Sequence, residues 1–143
     1  MSVLVPLFEE LFARSLLLRS FSGGVRAVKG LMQVVMDIPG LGDALAHSRV
    51  GKWAESPTVV FSDEFERTPL GVITVSGFII STLVFMVGHV PRDYPGAIAC
   101  GAAYCALLAV TRRKGLGPVV WAHGITNALL WAYTVHTGDW RFL

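Results

Sequence analysis

Charge is scarce in this chain. Lys, Arg, Asp and Glu together make up 15% of its 143 residues, against about 25% in an average soluble domain. With 53% hydrophobic residues, the mean hydropathy reaches +0.58. An ordinary soluble fold is therefore not the expected reading. Neither sign of charge dominates: 12 basic against 10 acidic residues leave a formal net charge of +2, too little for a nucleic-acid surface, so no nucleic-acid partner is expected. Cysteine is nearly absent. Cys100 and Cys105 lie five apart inside an apolar window, off a common helical face, and read as packing residues. The chain also lacks a His-Glu-x-x-His metal motif, an internal repeat, and the basic start and small-residue cleavage site of a signal peptide.

The few charges leave long gaps. Windows 68–91, 94–111 and 115–138 contain none, and each approaches or exceeds the roughly 17–20 apolar residues that span a bilayer core. These windows lack the two-residue alternation of a membrane β-barrel. The fold class expected is all-α: a polytopic transmembrane bundle of about four membrane helices. Three of them, Pro69 to Val90, Pro95 to Val110 and Pro118 to Val135, open on a proline, which the first turn of a helix tolerates. The remaining helix, Ser2 to Arg19, carries Glu9, Glu10 and Arg14 near its middle, and charge at that depth marks function.

Between the first and second membrane helices, 20–68 gathers acids, bases and the turn formers Gly23-Gly24, Pro39-Gly40 and Ser56-Pro57, and reads as an extramembrane loop. Within it Val25 to Ile38 forms a short amphipathic helix, with Val28, Leu31, Met32, Val35 and Met36 on one side, suited to the membrane interface. Arg112-Arg113-Lys114 sits in a short connection, which the positive-inside rule assigns to the cytoplasm together with the 20–68 loop. Trp121, Trp131, Tyr133 and Trp140 suit an interfacial belt, and His47 and His136 read as solvated.

Candidate chemistry comes from three clusters. Glu10 and Arg14 lie one helical turn apart and are expected to pair. Glu9 points about 100° away as a carboxylate without an evident partner, poised as a general base. His123 and Asn127, four apart, share one face and can offer hydrogen bonds to a developing oxyanion. His89 closes an uncharged helix four residues after Phe85 and can hold a water. Drawn as straight vertical helices, His89 and His123 lie at different depths and do not meet; tilt, or an inward dip of 91–95, has to bring them together. Glu9, His89 and His123 are the ligands available if a zinc ion is used, although no local metal motif favours one.

In order along the chain, Glu9-Glu10-Leu11-Phe12-Ala13-Arg14, Phe85-Met86-Val87-Gly88-His89 and His123-Gly124-Ile125-Thr126-Asn127 resemble the Glu-Glu-x-x-x-Arg, Phe-x-x-x-His and His-x-x-x-Asn motifs of the CAAX protease and bacteriocin-processing family, which includes the type II CAAX prenyl endopeptidases. The ending Thr137-Gly138-Asp139-Trp140 looks like the subgroup associated with exosortase and PEP-CTERM sorting. The resemblance implies a multi-pass protein of the bacterial cytoplasmic (inner) membrane, with the lipid bilayer around it and a membrane protein or peptide as substrate. It implies an intramembrane endopeptidase in which Glu9 activates water, His89 assists, His123 with Asn127 stabilises the oxyanion, and the Glu10–Arg14 pair is structural, with no cofactor favoured. Residues 1–143 read as one such domain. Because the family usually carries helices ahead of its first motif, the domain reads as N-terminally shortened, with a partner chain able to supply the missing helices. The alternatives are a non-catalytic scaffold or immunity-type subunit of the same ancestry, and a small transporter or proton relay using the same buried groups.

Overall fold

The computed structural model describes residues 4–54 and 61–140. Among them it has eight helices and no strand. The first, α1, covers 4–20, with a π-helical stretch at Leu11–Leu17 between α-helical ends. Then come α2 (Val25–Met36), α3 (Leu41–Ala46), α4 (Arg49–Ala54), α5 (Phe61–Arg67), α6 (Val75–Val87), α7 (Tyr94–Thr111) and α8 (Gly117–Thr137). Short 3-10 turns at Pro91–Asp93 and Arg112–Lys114 flank α7.

The 20–68 segment is corrected by the structure. It is mainly helical, with α2 ending at Met36 and α3 to α5 following it; the Ser56-Pro57 turn lies outside the described residues. The glycine turns act as expected, with Gly24 (φ 60°) and Gly40 (φ 81°) each opening the next helix from positive φ. Ala27 and Gly30 are the buried residues of α2, while Val25, Val28, Leu31 and Val34 are exposed. Two bonds tie the segment to α1: Arg19 Nε donates to Thr68 O at 2.7 Å and Nη2 to Phe65 O at 2.8 Å, with its guanidinium 3.8 Å over the Phe65 ring. A cation at the end of α5 thus satisfies carbonyls the helix leaves open.

The bundle proper is α1, α6, α7 and α8, with α1 packed against α6 and α8, and α7 between α6 and α8. Neighbours run antiparallel. Leu18 meets Gly77 while Arg14 lies over Phe85, Gly71 approaches Leu108 while Gly101 approaches Thr82, and Tyr104 stacks on His123. The main core joins Leu18, Tyr104, Cys105, Leu108 and Val119, and a second cluster joins Ala13, Phe85 and Ala97. Cys105 thus packs as expected. Large apolar side chains face outward on every bundle helix, including Phe8, Val87, Val110 and Leu129. A water-soluble monomer rarely exposes so much apolar surface, whereas lipid accepts it.

By length and composition one helix, Pro91–Lys114 with its flanking turns, is long and apolar enough to cross a bilayer among the described residues; Val75–Val87 is a shorter apolar helix. The helix expected to open at Pro69 starts six residues later, at Val75. Residues 70–74 form a turn and an extended approach, and Thr74 caps α6 by accepting the Gly77 N–H at 3.2 Å.

Gly77 allows the α1–α6 crossing. A Cβ there would lie 2.3 Å from the Leu18 carbonyl oxygen, which is backbone and cannot swing aside. Gly77→Ala is expected to destabilise the bundle by about 1–3 kcal/mol. Gly96→Ala, with nothing within 4 Å of its Cβ, should be neutral or slightly stabilising. Melting temperatures of the two variants in the same detergent check this; equal midpoints would remove Gly77 as a packing determinant.

Candidate active site

The site grows from α1. Its helical spacing turns Glu10, Ala13, Arg14, Leu17 and Leu18 inward, all of them buried. The helix widens to π geometry just after the two glutamates, where such insertions are frequent at functional sites. Arg14 Nε faces Glu10 Oε2 at 3.4 Å, with both side chains fully buried, so the expected ion pair is present. Its other contacts come from the neighbours: Nη2 donates to Gly101 O at 3.4 Å, and the guanidinium lies 4.8 Å from the Phe85 ring centroid and 5.9 Å from that of Tyr104. Two aromatic faces thereby partly replace the water that burial removed.

One expectation about the glutamates changes. Glu9 is not partnerless, and Glu10 has a second contact besides Arg14, because the imidazole of His123 lies between them. Nδ1 of His123 is 2.9 Å from Glu10 Oε1, and Nε2 is 3.3 Å from Glu9 Oε2. Adjacent residues on a helix diverge by about 100°, and this divergence lets the two carboxylates reach opposite edges of one ring. A carboxylate oxygen accepts, so Nδ1 carries a hydrogen toward Glu10. Nε2 and Glu9 Oε2 attract only when a proton lies between them. With that proton on the ring, two carboxylates, Glu10 fully buried and Glu9 partly exposed, face one guanidinium and one imidazolium.

His123 is buried and held from its other sides as well. Tyr104 stacks on it (centroids 5.0 Å apart, planes at 26°), and Phe85 meets it edge-on at 5.9 Å. Phe85 also bridges the depth difference noted in the sequence, because its ring lies 4.7 Å from that of His89. His89 follows the end of α6, and its Nδ1 donates to the Phe85 carbonyl at 2.8 Å. In the neutral ring that bond fixes the tautomer and leaves Nε2 as an acceptor. The shortened α6 and the 3-10 turn at Pro91–Asp93 bring His89, Arg92 and Asp93 to the same cavity as His123.

That cavity has a volume of about 1000 Å³ and largely apolar walls contributed mainly by α7 and α8, with Phe85 from α6. His89, His123 and Asn127 line it, as do Tyr104, Cys100, Thr126 and Trp131, with Val5 from α1. Glu9 does not; it borders a smaller pocket of about 240 Å³ on the other side of Phe85 and His89. Thr126 donates its hydroxyl to the Ala122 carbonyl at 2.9 Å, so on the His123–Asn127 face the amide is the side chain with a free donor role in view of the cavity.

Four of the candidate residues, Glu9, Glu10, Arg14 and His123, form one contact chain, with Phe85 linking it to His89; Asn127 joins them as a cavity wall. His47 and His136 are exposed and remote from it. Sequence reasoning missed Tyr104. Its signal is an aromatic with a polar tip on the buried face of a helix built, beyond its first turn, mainly of small and aliphatic residues. Among the described residues no group of three His, Cys, Asp or Glu side chains is disposed to hold a metal ion. Glu9, His89 and His123 are not gathered into such a group, and no step below passes through a metal.

The chain is an all-α bundle with a lipid-compatible surface and a carboxylate–imidazole–guanidinium cluster beside a cavity, and ionisable groups of this kind mark function in membrane-embedded proteins. The family model described as Type II CAAX prenyl endopeptidase Rce1-like matches residues 1–129, and the chain belongs to that family of membrane-embedded proteases. No curated protein and no solved structure matches the chain.

Proposed function

We propose that the chain is an intramembrane endopeptidase that hydrolyses a peptide bond of a membrane-associated or prenylated-like protein by glutamate-activated water. The observation that carries this reading is the bracketing of His123 by Glu9 and Glu10 beside a large apolar cavity. Glu9, whose side chain is 38% exposed, takes a proton from water as the water oxygen attacks the scissile carbonyl. The Nε2 proton of His123, shared with Glu9 at rest, and the Asn127 amide then face the oxyanion. His89, with Nε2 free to accept, helps hold the water, and the proton gained by Glu9 passes to the leaving amine. Glu10 is the positioning group that fixes the His123 ring, and Arg14 neutralises Glu10. In this reading the protein is multi-pass in a bacterial cytoplasmic membrane, with Arg112–Lys114 on the cytoplasmic side. In the same reading, the likeness of the Thr137 to Trp140 ending supports the sorting-associated subgroup.

Purified protein in lipid, incubated with membrane proteins of the native host, is expected to release products that persist in excess chelator. Asn127→Ala should lower their rate about 10²–10³-fold. Products lost on chelation would move the chemistry to a metal, and no products from folded protein would favour a non-catalytic membrane subunit.

A further inference from the structure

Arg112, Arg113 and Lys114 follow one another in the 3-10 turn between α7 and α8, all three exposed, and no ion pair among the described residues engages any of them. Other cations of the chain are paired: Arg14 with Glu10, Arg26 with Glu64 and Arg92 with Asp93. Three like charges on consecutive residues repel one another, so the turn gains by taking up an anion. Its neighbours fix its level. Val110, 80% exposed, faces outward two residues earlier, which at about 1.5 Å per residue puts Arg112 about 3 Å beyond a side chain suited to lipid. Gly71 presses on the same place, since a Cβ there would lie 2.5 Å from Arg112 Cβ, and four residues on Val75 opens α6 with its side chain exposed. The start of α2 is held at this level too: Ser76 Oγ donates to the Phe21 carbonyl at 2.8 Å, and Gly24 lies against Ser76. From there Val25, Val28, Leu31 and Val34 present exposed apolar side chains, and Lys29, without an acidic partner among the described residues, lies 5.2 Å from the Trp53 ring centroid. Lys and Trp are residue types that anchor at the level of lipid headgroups.

We infer that this end of the bundle is a binding surface for anionic phospholipid, with Arg112, Arg113 and Lys114 facing the headgroup phosphate and the exposed apolar side of α2 seated on the acyl boundary beside them. The inference is independent of proteolysis and needs only the lipid-facing bundle. A zwitterionic headgroup offsets its phosphate with its own ammonium, whereas phosphatidylglycerol leaves the phosphate charge uncompensated. Guanidinium groups match phosphate with paired N–H donors, and each cation near an anionic membrane surface is worth roughly fivefold in affinity.

The test strips the protein of lipid in a neutral detergent and follows its melting temperature during titration with phosphatidylglycerol or phosphatidylcholine. Wild type is expected to gain several degrees more from phosphatidylglycerol, and this excess should fade as salt is raised from about 50 to 500 mM. Arg112→Gln/Arg113→Gln/Lys114→Gln should need at least tenfold more phosphatidylglycerol for the same excess. Because the two lipids are compared on one protein, a change in its melting temperature without lipid cancels. Arg112→Lys/Arg113→Lys should keep most of the excess, and Val28→Ser/Leu31→Ser should weaken the response to both lipids alike. Inorganic phosphate in place of lipid should give no shift. Equal wild-type responses to the two lipids, a triple variant that keeps the excess, or inorganic phosphate that reproduces it would overturn the anionic-lipid surface; an unchanged lipid response in Val28→Ser/Leu31→Ser would remove α2 from it.

Discussion

Arg14→Met should be the most damaging single substitution for stability, lowering it by about 3–5 kcal/mol, or roughly 10–20 °C in melting temperature for a chain of this size. Both Arg14 and Glu10 are fully buried, and Arg14 is the only cation facing Glu10 Oε2 among the described contacts. Removing it leaves a carboxylate in an apolar interior with one imidazole as its partner, and the loss comes from that stranded charge rather than from the modest net value of an intact pair. The diagnostic measurement is a double-mutant cycle on melting in detergent. Glu10→Leu combined with Arg14→Met should recover much of what either single change loses, because no unpaired charge remains. Activity should not return with it, since His123 would lose the acceptor on Nδ1. If the single variants melt like wild type, or the double variant is simply additive, the pair is not a stability element.

The same pair shows how far the sequence could be read. The i, i+4 spacing of Glu10 and Arg14 predicts their contact from helix geometry alone, and the uncharged windows place α6, α7 and α8 to within a few residues except at the start of α6. The exception is instructive: Pro69 opens a turn rather than a helix, and Thr74 supplies the cap, so an apolar window overestimates a helix whose real start is set by hydrogen bonding. The charged 20–68 segment reads as a loop because its helices are short and their interrupted pattern has no long period; they are held by packing, α3, α4 and α5 on α2, and α5 also on α1 through contacts such as those of Arg19. The three motifs bring the residue types to attention, but not the order of contacts. That both glutamates grip one imidazole depends on where α8 crosses α1, and the π-helical stretch at Leu11–Leu17 leaves no signature in composition. Tyr104 is legible only as a buried aromatic until the crossing of α7 and α8 places it against His123.

Glu9→Gln is expected to reduce kcat by about 10²–10⁴-fold with little change in KM, the signature of losing a general base that acts in the transition state rather than a binding group. The amide is nearly isosteric, and its carbonyl oxygen still accepts from His123 Nε2, so the ring and the bundle should keep their geometry and melting temperature. What disappears is the capacity to take a proton from water. Glu9→Asp keeps that capacity but withdraws the carboxylate by about 1.5 Å, far enough from the 3.3 Å contact with His123 to misplace the attack, and should fall between Gln and wild type. Glu10→Gln gives the contrast: its carbonyl can still accept from Nδ1, but the charge facing Arg14 is gone, so stability should fall along with rate. Single-turnover rates and melting curves on the same preparations separate the two glutamates. If Glu9→Gln cleaves as fast as wild type while Glu10→Gln is inactive and fully folded, the roles are reversed and Glu10, not Glu9, is the group that activates water.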